Sequence, residues 1–260
     1  MRGREHYVRN EVRILEEVSK GHLHIVTLHE YFETPNSLYL VMDLCLGGEL
    51  FDRIVEKGNF FEEDAAEIIK IVVDCVAYLH EWNIVHRDIK PENLLFRSKD
   101  SLSELMIADF GLSRILETSE FLLSTSVGTP NYMAPELFTR NGHGKPVDMW
   151  AIGVMTYFLL CGYFPFAQFD GVSVDRKILL AEFSFEPEEN WREISAEGKD
   201  FISKLIRLNP DDRMTAADTL KHPWMDFAPI PLSSGGSIAS RVPTIDLLPT
   251  VRSEFSKRST

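Results

Sequence analysis

The sequence predicts an α+β fold in two lobes, a small strand-containing lobe ahead of a larger, mainly α-helical one. Three observations carry this. Two runs rich in β-branched and aromatic residues, HIVTLHEYF and LYLVMDL, lie near the start and are joined by the turn ETPNS. Apolar residues at helical spacing dominate from Glu62 and again after Pro135. Between them, IVHRDIKPENLLF (Ile84 to Phe96) sets two cations, two acids and an asparagine between apolar runs. Charges are seldom buried without partners, so this stretch reads as a loop facing a cleft between the lobes.

The elements follow in order. Residues from about 7 to 19 put Val8, Val12, Leu15 and Val18 on one helix face. After the two strands, GGEL punctuates the chain before another helix. Glu62 to Trp82 is a long helix with an acidic first turn and apolar residues at Ala65, Ile69, Val72, Val76 and Leu79. Short strands are expected around NLLF and LMIADF. Met149 to Phe166 is apolar for nearly a membrane-spanning length, yet it contains Gly153, Thr156 and Gly162, ends at Pro165 and follows Asp148. It reads as a helix buried at the centre of the large lobe. From Ala228 the text PIPLSSGGSIASRVPT has the composition of a linker.

Composition narrows the function. The 260 residues carry a net charge of −13, which argues against nucleic acid or an anionic membrane as the main partner and is compatible with basic peptides. Cys45, Cys75 and Cys161 show no CxxC spacing and read as buried free thiols in a reducing compartment. The opening MRGREHYVRNEV lacks the apolar core of a signal peptide. The cytoplasm is the expected location, with the nucleus open.

The loops carry the chemistry. Asp88 and Asn93 share one short loop, close enough for a carboxylate and an amide oxygen to converge, with Lys90 between them; Asp109 ends an apolar strand in ADFG. Two acids, an amide oxygen and a lysine suit Mg²⁺ bound to phosphates, because Mg²⁺ takes a few hard oxygen ligands and keeps waters.

These residues resemble the signature set of protein kinases: His86-Arg87-Asp88 with Asn93, Asp109-Phe110-Gly111, and Ala134-Pro135-Glu136. Asp148 in DMWAIGV and Arg213 in PDDRMTAADTLKHPWM extend the resemblance from Arg4 to about Phe227. Lys90 in DIKPEN and the segment GTPNYMAPE look like the serine/threonine branch. The resemblance implies a kinase domain over 1–227, with a partial small lobe and hinge over 1–44 and a large lobe over 45–227. It implies ATP and Mg²⁺ as cofactors. Asp88 would orient a substrate hydroxyl and accept its proton, Lys90 would neutralise the transferred phosphoryl group, and Asn93 and Asp109 would hold the metal. His86 would support the loop, and Glu136 and Arg213 would form a buried ion pair.

The finer resemblance is to calcium/calmodulin-dependent kinases of the kinase I type, carried by LYLVMDLCLGGELFDRI, HRDIKPENLLF, FLLSTSVGTPNYMAPE, FLLCGYFPF and KDFISKLIRLNPDDRMTA. It implies Met42 as gatekeeper, backbone groups of Asp43 and Leu44 for adenine, Glu49 for ribose or a basic substrate side chain, and Glu92 beside Asn93 at the nucleotide. Thr129 would shape the substrate loop. The tail 228–260, with IDLLPTVRSEFSKRST, looks like the opening of an autoinhibitory and calmodulin-binding segment. Protein substrates basic around the target hydroxyl, calmodulin and an upstream kinase are the implied partners.

The family pattern also calls for a glycine-rich loop and a strand lysine, and neither occurs in these 260 residues. Glu11 in RNEVRIL matches the helix acid that should pair with that lysine; Arg2 or Arg4 would be a poorly scaffolded substitute. Three readings follow: a kinase whose strands and lysine lie upstream of Met1, a kinase that draws the lysine's role from elsewhere, and a catalytically inactive fragment acting as a scaffold or regulatory binding module. Retention of Asp88, Asn93 and Asp109 together favours the first.

The resemblance places Thr125 of LSTSVGTP where kinases of this type are phosphorylated, and a phosphate there would add about −1.5 to −2 charge for Arg87 to meet. Mass spectrometry of active protein should find phosphate on Thr125. Modified Ser124 with bare Thr125 would reject that choice.

Overall fold

The computed structural model describes residues 5–34, 37–57, 60–99, 104–116, 130–139, 142–167 and 172–228. Helix α1 spans Glu5–Val18 and turns Val12, Leu15 and Val18 into the core, together with Ile14. The side chain of Val8 lies outside those described. Strands β1 (Leu28–Thr34) and β2 (Ser37–Met42) pair antiparallel, with Tyr31 opposite Leu40 and Phe32 opposite Tyr39. Leu38 and Leu40 pack toward the core, while Phe32 and Tyr39 stack 4.8 Å apart on the outer face, about half exposed.

The first strand begins four residues later than the sequence suggests. The β-branched pair Ile25 and Val26 is buried, but it bridges to Ile107 of the large lobe instead of extending β1. The Ile107 N–H donates to the His24 carbonyl at 2.7 Å, and the Val26 N–H donates to the Ile107 carbonyl at 3.1 Å. Apolar pattern alone cannot say which sheet a strand-like run will join.

Next come β3 (Gly48–Glu49) and α2 (Leu50–Lys57), then the long α3 (Glu62–Glu81) and β4 (Ile84–Val85). Strands β5 (Leu94–Phe96) and β6 (Leu105–Ile107) form a hairpin and join β3 in a sheet of order β3-β5-β6. Strand β7 (Arg114–Ile115) pairs with β4. The remaining elements are helical: α4 (Pro135–Phe138), α5 (Pro146–Cys161), α6 (Val174–Leu180), α7 (Glu188–Trp191), α8 (Ala196–Leu205) and α9 (Ala216–Thr219). The α+β expectation and the mainly helical large lobe are both borne out.

Helix α5 is buried at every residue from Val147 to Cys161. It starts at Pro146, whose missing N–H costs nothing in a first turn, and stops at Gly162, which takes φ +82° and donates its N–H to the Phe158 carbonyl. The apolar text continues past the helix because the chain folds back and stacks Phe166 on Trp150, centroids 5.5 Å apart. At Gly153 a Cβ would lie 2.8 Å from the Leu205 Cβ, so only glycine lets α5 and α8 approach this closely. Among the described residues no helix is long and apolar enough to cross a membrane. All three cysteines are free; Cys75 and Cys161 are buried as expected, but Cys45 is only half-buried because it sits in the segment joining the lobes.

The Glu136–Arg213 pair forms as read from sequence. Arg213 sends two parallel bonds of 2.6 and 2.8 Å to the Glu136 carboxylate, bonds the Pro146 and Arg207 carbonyls, and lies 5.0 Å over the Trp150 ring. Its side chain is fully buried. Arg213→Ala leaves a buried carboxylate and several carbonyls without their donor, and should destabilise the fold by about 3–5 kcal/mol. Denaturant melts with an unchanged slope and a lowered midpoint would show it; an unchanged midpoint would refute it.

Candidate active site

The site hangs from Asp148, fully buried in the first turn of α5. Its carboxylate accepts the His86 N–H at 2.9 Å, the Arg87 N–H at 2.8 Å and the His80 Nε2–H at 2.9 Å. Burial by itself would raise its pKa; the bond and charge of His80, with help from His86 and the Arg87 N–H, outweigh burial and hold it low. The group is a carboxylate, and it clamps the backbone of the loop after β4. That clamp keeps Arg87 at φ +70°, a left-handed conformation that costs a non-glycine residue about 1–2 kcal/mol. The Arg87 Nε also donates to the Leu112 carbonyl at 2.6 Å, tying the loop to the segment after Asp109.

The clamped loop positions the chemistry. His86 is fully buried, which pushes its pKa down; its Nδ1 accepts the Asp88 N–H at 3.3 Å and its ring meets Phe110 edge-on at 5.0 Å. A neutral, packed histidine supports the loop. Asp88 is almost buried, and its Oδ2 accepts Lys90 Nζ at 2.7 Å and Asn93 Nδ2 at 3.2 Å. Asn93 Nδ2 also donates to the Asp88 carbonyl at 2.8 Å, so the amide nitrogen is committed and the amide oxygen remains as an acceptor. The Asn93 carbonyl accepts the Ala108 N–H at 2.9 Å, which brings Asp109 alongside. Asp109 sits at φ +60°, its Oδ1 capping the Gly111 N–H at 3.1 Å. Two strained residues within one loop system mark a functional site rather than a relaxed turn.

Among the described residues no cluster of three or more His, Cys, Asp or Glu side chains has metal-binding geometry. The set that does converge, one amide oxygen and one carboxylate, suits Mg²⁺, which completes its shell with water and substrate phosphate rather than an all-protein cage.

Glu11 reaches the same place from α1. A Cβ on Gly111 would lie 3.1 Å from Asp109 Oδ1 and 3.6 Å from Glu11 Oε2, so the two acids converge there. Burial first, and the Asp109 charge second, raise the Glu11 pKa. Among the described residues no cation forms an ion pair with Glu11; Arg2 and Arg4 lie outside them.

The segment joining the lobes differs in detail from the sequence reading. Met42 ends β2, about 41% exposed. The Asp43 N–H is spent on the Thr27 carbonyl at 3.0 Å, so of its backbone groups only the carbonyl stays open to a ligand. Leu44 is exposed, and among the described residues its N–H and that of Cys45 meet no backbone acceptor, so Cys45 joins Leu44 as a donor that the sequence reading missed. Leu46 and Gly47 donate to the Arg97 and Phe96 carbonyls, anchoring the segment to β5. Glu49, in β3, and Glu92, in the turn Pro91–Asn93, are exposed. Thr125, Thr129 and the tail from 229 lie outside the described residues.

Sequence reasoning also missed His143. It is 3% exposed, its Nε2 has no hydrogen-bond partner among the described residues, and it lies in the field of Arg87, Glu136 and Asp148. Burial chiefly, then the Arg87 charge, push its pKa down to about 4.

A two-lobed fold with a buried, clamped aspartate loop beside a second acid at the end of a hairpin brings together the residues that the sequence reading assigned to Mg²⁺ and phosphate. The protein kinase domain model matches residues 2–225, and the chain belongs to the protein kinase family. It is similar over its whole length to the calcium/calmodulin-dependent protein kinase cmkB of Emericella nidulans, 52% identical and covering 63% of that protein. It is 51% identical over its whole length to the calcium/calmodulin-dependent protein kinase type I of Schizosaccharomyces pombe, covering 74% of it. Over 86% of the chain it is 44% identical to the human calcium/calmodulin-dependent protein kinase type 1B, covering 64% of that protein.

The low pKa of His143 gives a signed pH prediction. Its folded state disfavours the proton, so between its ordinary value of 6.5 and about 4 the unfolded chain binds more protons. Stability contributed by the neutral ring is whole above that window and is lost as pH falls through it. His143→Phe, which keeps an apolar ring and removes the titration, should lose less stability than the parent between pH 6.5 and 4 in parallel urea melts. Identical pH slopes would refute the assignment.

Proposed function

We propose that this chain forms the catalytic body of a serine/threonine protein kinase of calcium/calmodulin signalling, passing the γ-phosphoryl group of ATP to Ser or Thr hydroxyls of proteins. The observation that carries the reading is the Asp88 carboxylate, held by Lys90 and Asn93 with the Asn93 amide oxygen and Asp109 beside it. Asp88 accepts the proton of the attacking hydroxyl. Lys90, whose Nζ lies 2.7 Å from Asp88 Oδ2, presents positive charge to the transferring group. Asn93 and Asp109 would hold Mg²⁺, which when bound neutralises phosphate charge. The protein contributes positioning and fixed charge, and little covalent work.

Several features support the finer reading. The relatives named above are calcium/calmodulin-dependent kinases, which supports calmodulin and an upstream kinase as partners and the tail from 229 as the regulatory segment. The net charge of −13 supports substrates basic around the target. Three free thiols support a reducing compartment, the cytoplasm or the nucleus.

A second reading has its own observation. Glu11 faces Asp109 without a described cation, and no glycine-rich loop stands in the sequence to cover phosphates. The chain would then serve as a scaffold or regulatory binding module, its large lobe folded and its small sheet exposing Phe32 and Tyr39 to a partner.

Residues 1–260 alone should bind Mg·ATP weakly and show turnover reduced by roughly 10²–10³ or more, by analogy with loss of a preorganised charge contact. Calorimetry and a basic-peptide assay measure both; ordinary turnover, about 1–100 per second, would show that this chain replaces the missing parts. In a fusion that supplies glycine-rich strands and a lysine ahead of α1, Asp88→Ala should abolish transfer yet largely spare Mg·ATP binding. Asp109→Ala should weaken both. Activity retained in Asp88→Ala would overturn the assignment, and a silent fusion that binds nucleotide would favour the scaffold.

A further inference from the structure

We propose that the Asp43 side chain is an interlobe latch, a positioning group that holds the small lobe at a fixed angle over the segment joining the lobes. The inference rests on reading that segment as the nucleotide hinge. Asp43 Oδ1 accepts the Nε2–H of His29 at 2.8 Å, and Oδ2 accepts the Thr27 N–H at 3.3 Å. His29 belongs to β1 and Thr27 lies just ahead of it, and the Asp43 N–H returns a bond to the Thr27 carbonyl at 3.0 Å. From the other side Arg97 Nη2 reaches Oδ2 at 3.2 Å.

Arg97 belongs to the large lobe. It follows β5, its N–H donates to the Glu104 carbonyl and its carbonyl accepts the Leu46 N–H, both at 3.0 Å. Its guanidinium also lies 3.7 Å from Met106 Sδ. The backbone of Arg97 is thus fixed on the β3-β5-β6 sheet while its side chain extends across the hinge. His24, ahead of β1, also bonds the Leu105 carbonyl of that sheet at 2.7 Å, but among the described residues Asp43 is the side chain that bonds both β1 and the Arg97 guanidinium. One carboxylate therefore gathers donors from both lobes, at the point where a change of lobe angle must be absorbed.

The geometry suits a latch rather than a lock. The Asp43 side chain is sheltered, 18% exposed, while those of His29 and Arg97 are about half exposed. Ion pairs this open to solvent are weak singly, so the latch shifts the population of lobe angles by roughly 2–5-fold instead of freezing one. Burial would raise the Asp43 pKa; the Thr27 and His29 bonds and the Arg97 charge outweigh it, so the carboxylate stays ionised. Leu44 and Cys45, with unspent N–H groups, lie directly after the latch, so its state sets how the small lobe sits above them.

The test measures lobe angle without nucleotide. Nitroxide labels on Glu30→Cys in β1 and Asp52→Cys in α2, both exposed, in a Cys45→Ser background, report the distance between lobes by double electron–electron resonance. The parent should give one narrow distribution. Asp43→Ala and Arg97→Ala should each broaden it, the double variant should broaden it no further, and Arg97→Lys should restore the narrow form. Unchanged widths in both single variants, or additive broadening, would overturn the latch, whatever happens to the melting temperature. A Mg·ATP titration of the same variants addresses the hinge reading separately. A dissociation constant raised about 2–5-fold in both supports latch and hinge together. Broadened distances with nucleotide affinity unmoved would overturn the hinge reading and leave the mechanical latch standing.

Discussion

The buried Asp148 carboxylate is the constraint on which the rest of the site depends. Putting an isolated ion in a protein interior costs several kcal/mol after relaxation, so it persists only where donors are gathered around it. Here two backbone N–H groups of the HRD segment and the His80 ring supply three bonds. The first turn of a helix adds the favourable end of its dipole. The consequence runs one way along the chain. Because Asp148 fixes the His86 and Arg87 amides, Arg87 is held left-handed, Asp88 turns its carboxylate toward Lys90 and Asn93, and Asn93 reaches the hairpin that ends at Asp109.

Asp148 can do this only if the head of α5 does not move. The second ionic anchor provides for that. Arg213 holds Glu136 with two bonds and the Pro146 carbonyl with a third, so the residue that starts α5 is tied to both α4 and the turn before α9. The body of the helix is apolar all round and its only small gap, Gly153, is filled by α8. A site carried on rigid, buried elements keeps its geometry; one carried on loops does not. The small lobe has nothing comparable among the described residues, being one helix and two strands with a half-exposed outer face.

Much of this was legible in the sequence, for physical reasons that differ by element. The spacing of Asp88, Lys90 and Asn93 confines them to one loop, and the apolar strand before Asp109 can only pair beside them, so the site could be read before any coordinates. The α1 face and the all-round burial of α5 follow from periodicity and composition. The start of β1 could not be read, because Ile25 and Val26 look like strand whichever lobe satisfies their N–H groups. The hinge was half legible: residue types say nothing about which N–H is already spent, so Asp43 looked like a donor and Cys45 did not. His143 was invisible, since a histidine after a glycine carries no signal until its burial beside Arg87 is known.

The two halves of the cleft therefore differ in kind. On the large-lobe side the sheltered acids of the site each have an opposite charge or a donor among the described residues. Asp88 has Lys90, Glu136 has Arg213 and Asp148 has His80. On the small-lobe side Glu11 has no ion-pair partner among the described residues, and burial first and the Asp109 charge second raise its pKa. A divalent cation at Asp109 would relieve that repulsion at its source, but it would not give Glu11 a partner of its own. A cation delivered to Glu11 by any route would draw α1 toward Gly111 and complete the charge balance of the cleft. Glu11 is thus the group through which α1 enters the electrostatics of the site.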